Sequence, residues 1–162
     1  MKRFRLPLRR QIERLGLRAL VVCMLPLSAA AQPEGGLYVA GPSFSFEQAA
    51  DDGLSRNSGG GQFFLLALPP QTEALTTKAT RSQAAARQRV IDGNGVLLVC
   101  QRDIDNGSVD ASRLVPGVVP VRGWPTAGSN DLPAGQRYFS DEDPAKLPQS
   151  SEMLRRLRST CS

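Results

Sequence analysis

Histidine is missing from all 162 residues, and that absence removes a large share of the usual enzyme chemistry. Histidine is the commonest general base, the usual partner of serine and cysteine nucleophiles, and the commonest zinc ligand. Cysteine is scarce, with three in the chain, and aromatic residues make up only 6%. No Gly-x-Ser-x-Gly, no Cys-x-x-Cys and no paired acidic motif stands out. No apolar run approaches the about 20 residues of a membrane-spanning helix. These absences weigh against catalysis, and no metal or cofactor is expected.

The chain opens with a strong charge bias. Met1 to Arg18 holds Lys2, Arg3, Arg5, Arg9, Arg10, Arg14 and Arg18 against the single acid Glu13. A short apolar core, Ala19 to Leu27, is followed by Ser28-Ala29-Ala30-Ala31. A basic start, a greasy middle and small residues at the exit make a secretory signal peptide over residues 1–31, cleaved near Ala31 by the small-x-small rule. The alternative is an amphipathic or uncleaved anchor. Cys23 follows Val21-Val22 rather than small residues, so a lipoprotein signal does not fit. Taking seven bases and one acid away from totals of 20 and 15 leaves 13 against 14. The basic balance belongs to the leader, so no nucleic-acid partner is expected. The sequence predicts a periplasmic or secreted protein that meets the membrane only through its transient leader.

Residues 32–162 are enough for one domain with its own core. Leu37 to Ala40 reads as a first strand, stopped by Gly41-Pro42. Ser45 and Gln48 have capping-box spacing, which predicts a helix from Ser45 to Arg56. Asn57-Ser58-Gly59-Gly60-Gly61 precedes a strand and lacks Gly-Lys-Ser/Thr, so it is a connector rather than a phosphate loop. Gln62 to Leu68 is a second strand, ended by Pro69-Pro70. Thr72 to Val90 has helical composition, with Arg81, Arg87 and Arg89 expected on a solvated face. Asp92-Gly93-Asn94-Gly95 ends that stretch, and the apolar run Val96 to Val99, closed by Cys100, then reads as a buried central strand. Asp103 to Ser108 is expected as an acidic turn; the closing glutamate of a calcium loop is absent. Val109 to Leu114 suits a short helix, and Val115 to Val121 a proline-broken strand near an edge. Residues 123–149 are rich in glycine, proline and polar residues, with Trp124, Tyr138 and Phe139 as anchors over the core. A helix over 150–160 closes the chain, with Met153, Leu154 and Leu157 inward and Arg155, Arg156 and Arg158 outward. Strands alternating with helices predict a single three-layer α/β domain with a mostly parallel sheet of four to five strands.

Once Cys23 leaves with the leader, Cys100 and Cys161 remain. In an oxidising compartment an even pair is first read as a disulfide. The rival reading is a free, reactive Cys100 at the carboxyl end of its strand, where α/β sheets gather ligand sites. Asp103, Asp105 and Asp110 would raise the pKa of such a thiol, and Arg102 would lower it.

Gly95-Val96-Leu97-Leu98-Val99-Cys100, followed by Val109-Asp110-Ala111-Ser112-Arg113-Leu114-Val115-Pro116-Gly117-Val118 and Val119-Pro120-Val121, resembles the second half of the DsrE/YchN-like family. There a strand ends on a cysteine, and a short helix leads to a Leu-x-Pro-Gly-Val strand. In the sulfur-relaying members that cysteine carries persulfide, so the resemblance implies Cys100 as the one residue with a chemical role. Those members work in the cytoplasm as oligomers, and an exported chain departs from that pattern. Leu37-Tyr38-Val39-Ala40-Gly41-Pro42-Ser43-Phe44-Ser45 is similar to the opening of thioredoxin-like pilus-assembly proteins of conjugative transfer. Together these readings predict an exported, non-catalytic protein that binds or supports a protein partner, or its own copies, in an envelope or conjugative-transfer assembly. The enzyme-class alternative is a DsrE-like sulfur carrier or thiol protein using Cys100.

Overall fold

A computed structural model describes residues 34–124 and 136–162. The expected leader, the cleavage site near Ala31 and part of the irregular 123–149 segment lie outside the described residues. Four strands, β1 (Leu37–Ala40), β2 (Phe63–Ala67), β3 (Gly95–Cys100) and β4 (Val119–Val121), form one sheet in the order β1-β2-β3-β4. Every neighbouring pair is parallel, with Leu65 of β2 in register with Tyr38 on one side and Leu97 on the other. The α-helices are α1 (Phe46–Arg56), α2 (Arg81–Asp92), α3 (Gln101–Asp105) and α4 (Ser151–Thr160). The fold is α/β.

Side chains alternate across a strand, so each central strand feeds two cores. Phe63, Leu65, Ala67, Leu97 and Val99 pack with Phe46, Ala49 and Ala50 of α1 and Ala86 and Val90 of α2. Phe64, Leu66, Leu98 and Cys100 pack on the other face with Leu147, Leu157 and Cys161. All five residues of β2 are fully buried, and each large one contributes roughly 2 kcal/mol through apolar burial. Gly53 lets α1 approach β2: a Cβ there would lie 2.6 Å from the Phe63 ring. The turn from α2 into β3 runs through Asn94 at φ 64°, a conformation that asparagine tolerates better than most residues.

Both longer crossover helices are capped by side chains. In α1 the Gln48 N–H donates to Ser45 Oγ and the Ser45 N–H to Gln48 Oε1. Thr80 and Gln83 make the same reciprocal pair at the start of α2. That second box corrects the expected helix from Thr72 to Val90. A 3-10 turn over Gln71–Leu75 and a bridge between Thr76 and Leu114 intervene before α2 starts at Arg81. Arg87 is half-buried rather than solvated, donating to the carbonyls of Ala74 (2.6 Å) and Thr76 (3.2 Å) to hold that turn. The expected acidic turn is also corrected. Its first half is helical, because α3 starts directly after β3, while the short helix expected from Val109 reduces to a 3-10 turn over Ala111–Arg113. β4 is confined to Val119–Val121 and occupies an edge.

Candidate functional site

The residue singled out by its position is Cys100, the last of β3 and the N-cap of α3. Its Sγ is joined to that of Cys161, the C-cap of α4, with S–S 2.05 Å and Cα–Cα 5.1 Å. The two residues are 0% and 2% exposed. Both belong to the core between the sheet and α4. The bond closes a loop with a sequence separation of 61, and by loop entropy alone is worth about 4 kcal/mol. A sulfur held in this bond offers neither a thiolate nor a metal ligand.

The acids near Cys100 in sequence serve other partners. Asp103 is buried, with Oδ1 3.3 Å from Arg102 Nε and Oδ2 without a hydrogen bond. Asp105 Oδ1 accepts from Gln101 Nε2 at 2.7 Å. Asp110 caps the 3-10 turn, and the Ser112 hydroxyl and then its N–H hold the Asp110 carboxyl below the ordinary range. Arg102 itself donates to the carbonyl of Ser162, adding a second tie between α3 and the C-terminus. Among the described residues no group of three His, Cys, Asp or Glu could hold a metal ion.

An arginine expected to face solvent is the most buried charge among the described residues. Arg158 is 1% exposed and pairs bidentately with Glu142, Nη2–Oε2 at 2.6 Å and Nη1–Oε1 at 3.1 Å. It also donates to the carbonyls of Arg122 (3.0 Å) and Arg137 (2.8 Å). Its guanidinium lies 4.9 Å from the Phe139 ring centroid and 5.9 Å from that of Trp124. The outward placement expected of Arg158 is therefore corrected, while Arg155 and Arg156 are exposed. The signal was available: residue 158 lies one helical turn past Leu154, on the buried face. Tyr138 packs on the α4-side core and donates to the Pro148 carbonyl at 2.9 Å; burial raises its pKa.

Three concave regions accompany these features. One of about 400 Å³ lies at the carboxyl ends of β2 and β3, lined by Pro69, Thr72, Glu73, Lys78, Asp110 and Arg113 among others. A second, about 320 Å³, runs beside β4 past Gln101, Arg122 and Asp141; Arg122 and Asp141 pair there at 2.6 and 2.8 Å. The third is a groove of about 480 Å³ between β1 and α4, lined by Leu37, Ser150, Glu152, Met153, Arg155, Arg156 and Ser159. Neither arginine of that groove has an ion-pair partner among the described residues. No helix among the described residues is long and apolar enough to cross a membrane. Compared with known proteins, the chain matches no family model and no curated sequence.

Proposed function

We propose that the chain is an exported, non-catalytic α/β protein that binds a protein partner in an envelope or conjugative-transfer assembly. One observation carries the reading. Cys100 occupies the strand-end position where an α/β sheet would present a reactive group, and its sulfur is buried in a bond that fixes α4. A bridge of this kind suits an oxidising compartment, in keeping with the basic leader and its Ala-x-Ala exit. Fold alone assigns no activity, and the resemblance to sulfur-relaying proteins falls on Cys100, whose sulfur is occupied by the bond to Cys161.

Intact-mass analysis and thiol labelling of protein recovered from the exported fraction, without reductant, test this. The expected species starts near Gln32 and labels at neither cysteine until it is denatured and reduced. A Cys100 that labels rapidly, or that carries an extra sulfur atom by mass, overturns the reading in favour of the sulfur-carrier alternative. A chain that retains residues 1–31 and stays in the cytoplasm overturns export. Light scattering across a concentration series distinguishes self-association from a different partner.

A further inference from the structure

We infer that the free edge of β1, together with the groove between β1 and α4, takes an extended acidic segment of the partner as an added strand. This rests on the protein-partner reading and names where and how that contact is made.

β1 has one ladder neighbour, β2, among the described residues. The Phe64 N–H donates to the Gly36 carbonyl at 3.0 Å and the Leu68 N–H to that of Ala40 at 2.9 Å. Gly36, Tyr38 and Ala40 thus direct their main-chain groups at β2. Alternate residues in a parallel ladder face the other way, so Leu37 and Val39 turn their N–H and C=O groups outward. Proteins blunt such edges with proline or charge. The opposite edge follows that rule, with Pro120 at the middle of β4 and Arg122 just after it. Leu37-Tyr38-Val39-Ala40 carries neither device, and the groove beside it adds apolar Leu37 and Met153 to exposed Arg155 and Arg156, two bases against the single acid Glu152 in its lining.

Charge selects the occupant. A second copy pairing edge to edge would bring its own arginine pair towards this one. The chain's own leader, with seven bases against one acid, is repelled in the same way. An extended segment with acidic side chains facing α4 gains the outward backbone groups of β1 and neutralises both arginines, a known mode of strand addition.

The probe is a fluorescein-labelled alternating Glu-Val peptide of about ten residues, a full strand length, with a Lys-Val peptide as its counterpart. The Glu-Val peptide is expected to bind at least about tenfold more tightly, and an Arg155→Glu/Arg156→Glu variant to reverse that order. Val39→Pro removes an outward N–H while sparing the bonds to β2. It should weaken binding about tenfold or more, whereas Val39→Ala should not. Amide exchange at Leu37 and Val39 should slow on binding. Equal affinity for the two peptides, unchanged exchange at Leu37 and Val39, or no binding by protein whose Cys100–Cys161 bond is intact overturns the docking proposal alone. A dimer that Val39→Pro dissolves overturns it in favour of a second copy. A persulfide on Cys100 in the same sample overturns the protein-partner reading, whatever the peptides do.

Discussion

Replacing Arg158 by methionine probes what holds the segment around Glu142 against α4. The pair is nearly inaccessible, with side-chain exposures of 1% and 7%. Removing one member of a buried pair costs about 3–5 kcal/mol, because the other charge stays behind without compensation. Arg158 also serves the carbonyls of Arg122 and Arg137, and each lost hydrogen bond adds about 1 kcal/mol unless water reaches the acceptor. Arg158→Met should therefore destabilise by about 4 kcal/mol or more. Arg158→Met/Glu142→Leu removes both charges and keeps the volume, and should recover much of the loss, leaving about 2 kcal/mol for the two carbonyls. Urea denaturation followed by far-UV dichroism and by the single tryptophan measures both; Trp124 lies 5.9 Å from the Arg158 guanidinium and reports locally. The double variant should be more stable than Arg158→Met. Arg158→Met costing under about 1 kcal/mol, or a double variant that merely sums its singles, would refute the reasoning.

The same melts test the other joints. Cys100→Ala/Cys161→Ala, or reductant on the native chain, should remove about 4 kcal/mol, and an unchanged midpoint would show that α4 docks without the bond. Thr80→Ala breaks the second capping box and should cost about 1 kcal/mol in the same denaturation series. Tyr138 should ionise above the ordinary tyrosine pKa of about 10, because burial disfavours its phenolate. The stability gained by keeping it neutral is complete below that ordinary value and is lost as pH rises through the raised one. Absorbance titration of Tyr138→Phe should lack the later-ionising component seen in the native protein. In carbon-detected NMR titration Asp110 should ionise below the ordinary aspartate range, and Ser112→Ala should return it upward.

Much of the fold is legible because it depends on short-range rules. The Ser45–Gln48 box, the unbroken apolar run of β2 and the stop at Pro69-Pro70 each act within a few residues, and the structure places α1 and β2 accordingly. The pattern fails where a tertiary partner decides. Thr77 donates to the Arg113 carbonyl and Val115 to that of Leu75 on either side of the Thr76–Leu114 bridge, and Arg87 reaches back to two carbonyls; no periodicity within Thr72 to Val90 reports either. Arg158 is the clearest case. Its spacing from Leu154 marks the buried face, but nothing in the sequence supplies the partners that let a charge lie there, Glu142, Phe139 and Trp124, which converge on it from outside α4. The groove beside β1 needs the sheet order itself, since an edge strand is recognised only once its neighbours are known.

That sheet order also accounts for the strand-end cysteine. With strands stacked in chain order and right-handed crossovers, each connecting segment falls on the same face, as the packing of α1, α2, Ile104 and Val109 in one core demonstrates. The other face of β2 and β3 is as apolar, with Phe64, Leu66 and Leu98 fully buried, yet no crossover returns to cover it. Residues after β4 must do so, and the described ones supply the ten-residue α4 together with Tyr138 and Leu147 from before it. Leu157, with Met153 packed at the margin, gives α4 a narrow apolar grip, so its C-terminus is bonded to β3 and its buried face is extended by the Arg158–Glu142 ion pair with the preceding loop. A position that would present a thiol in a sheet covered by its crossovers on both faces becomes, in this singly wound sheet, the attachment point for the missing layer. The demand placed on Cys100 follows from which face the crossovers leave bare.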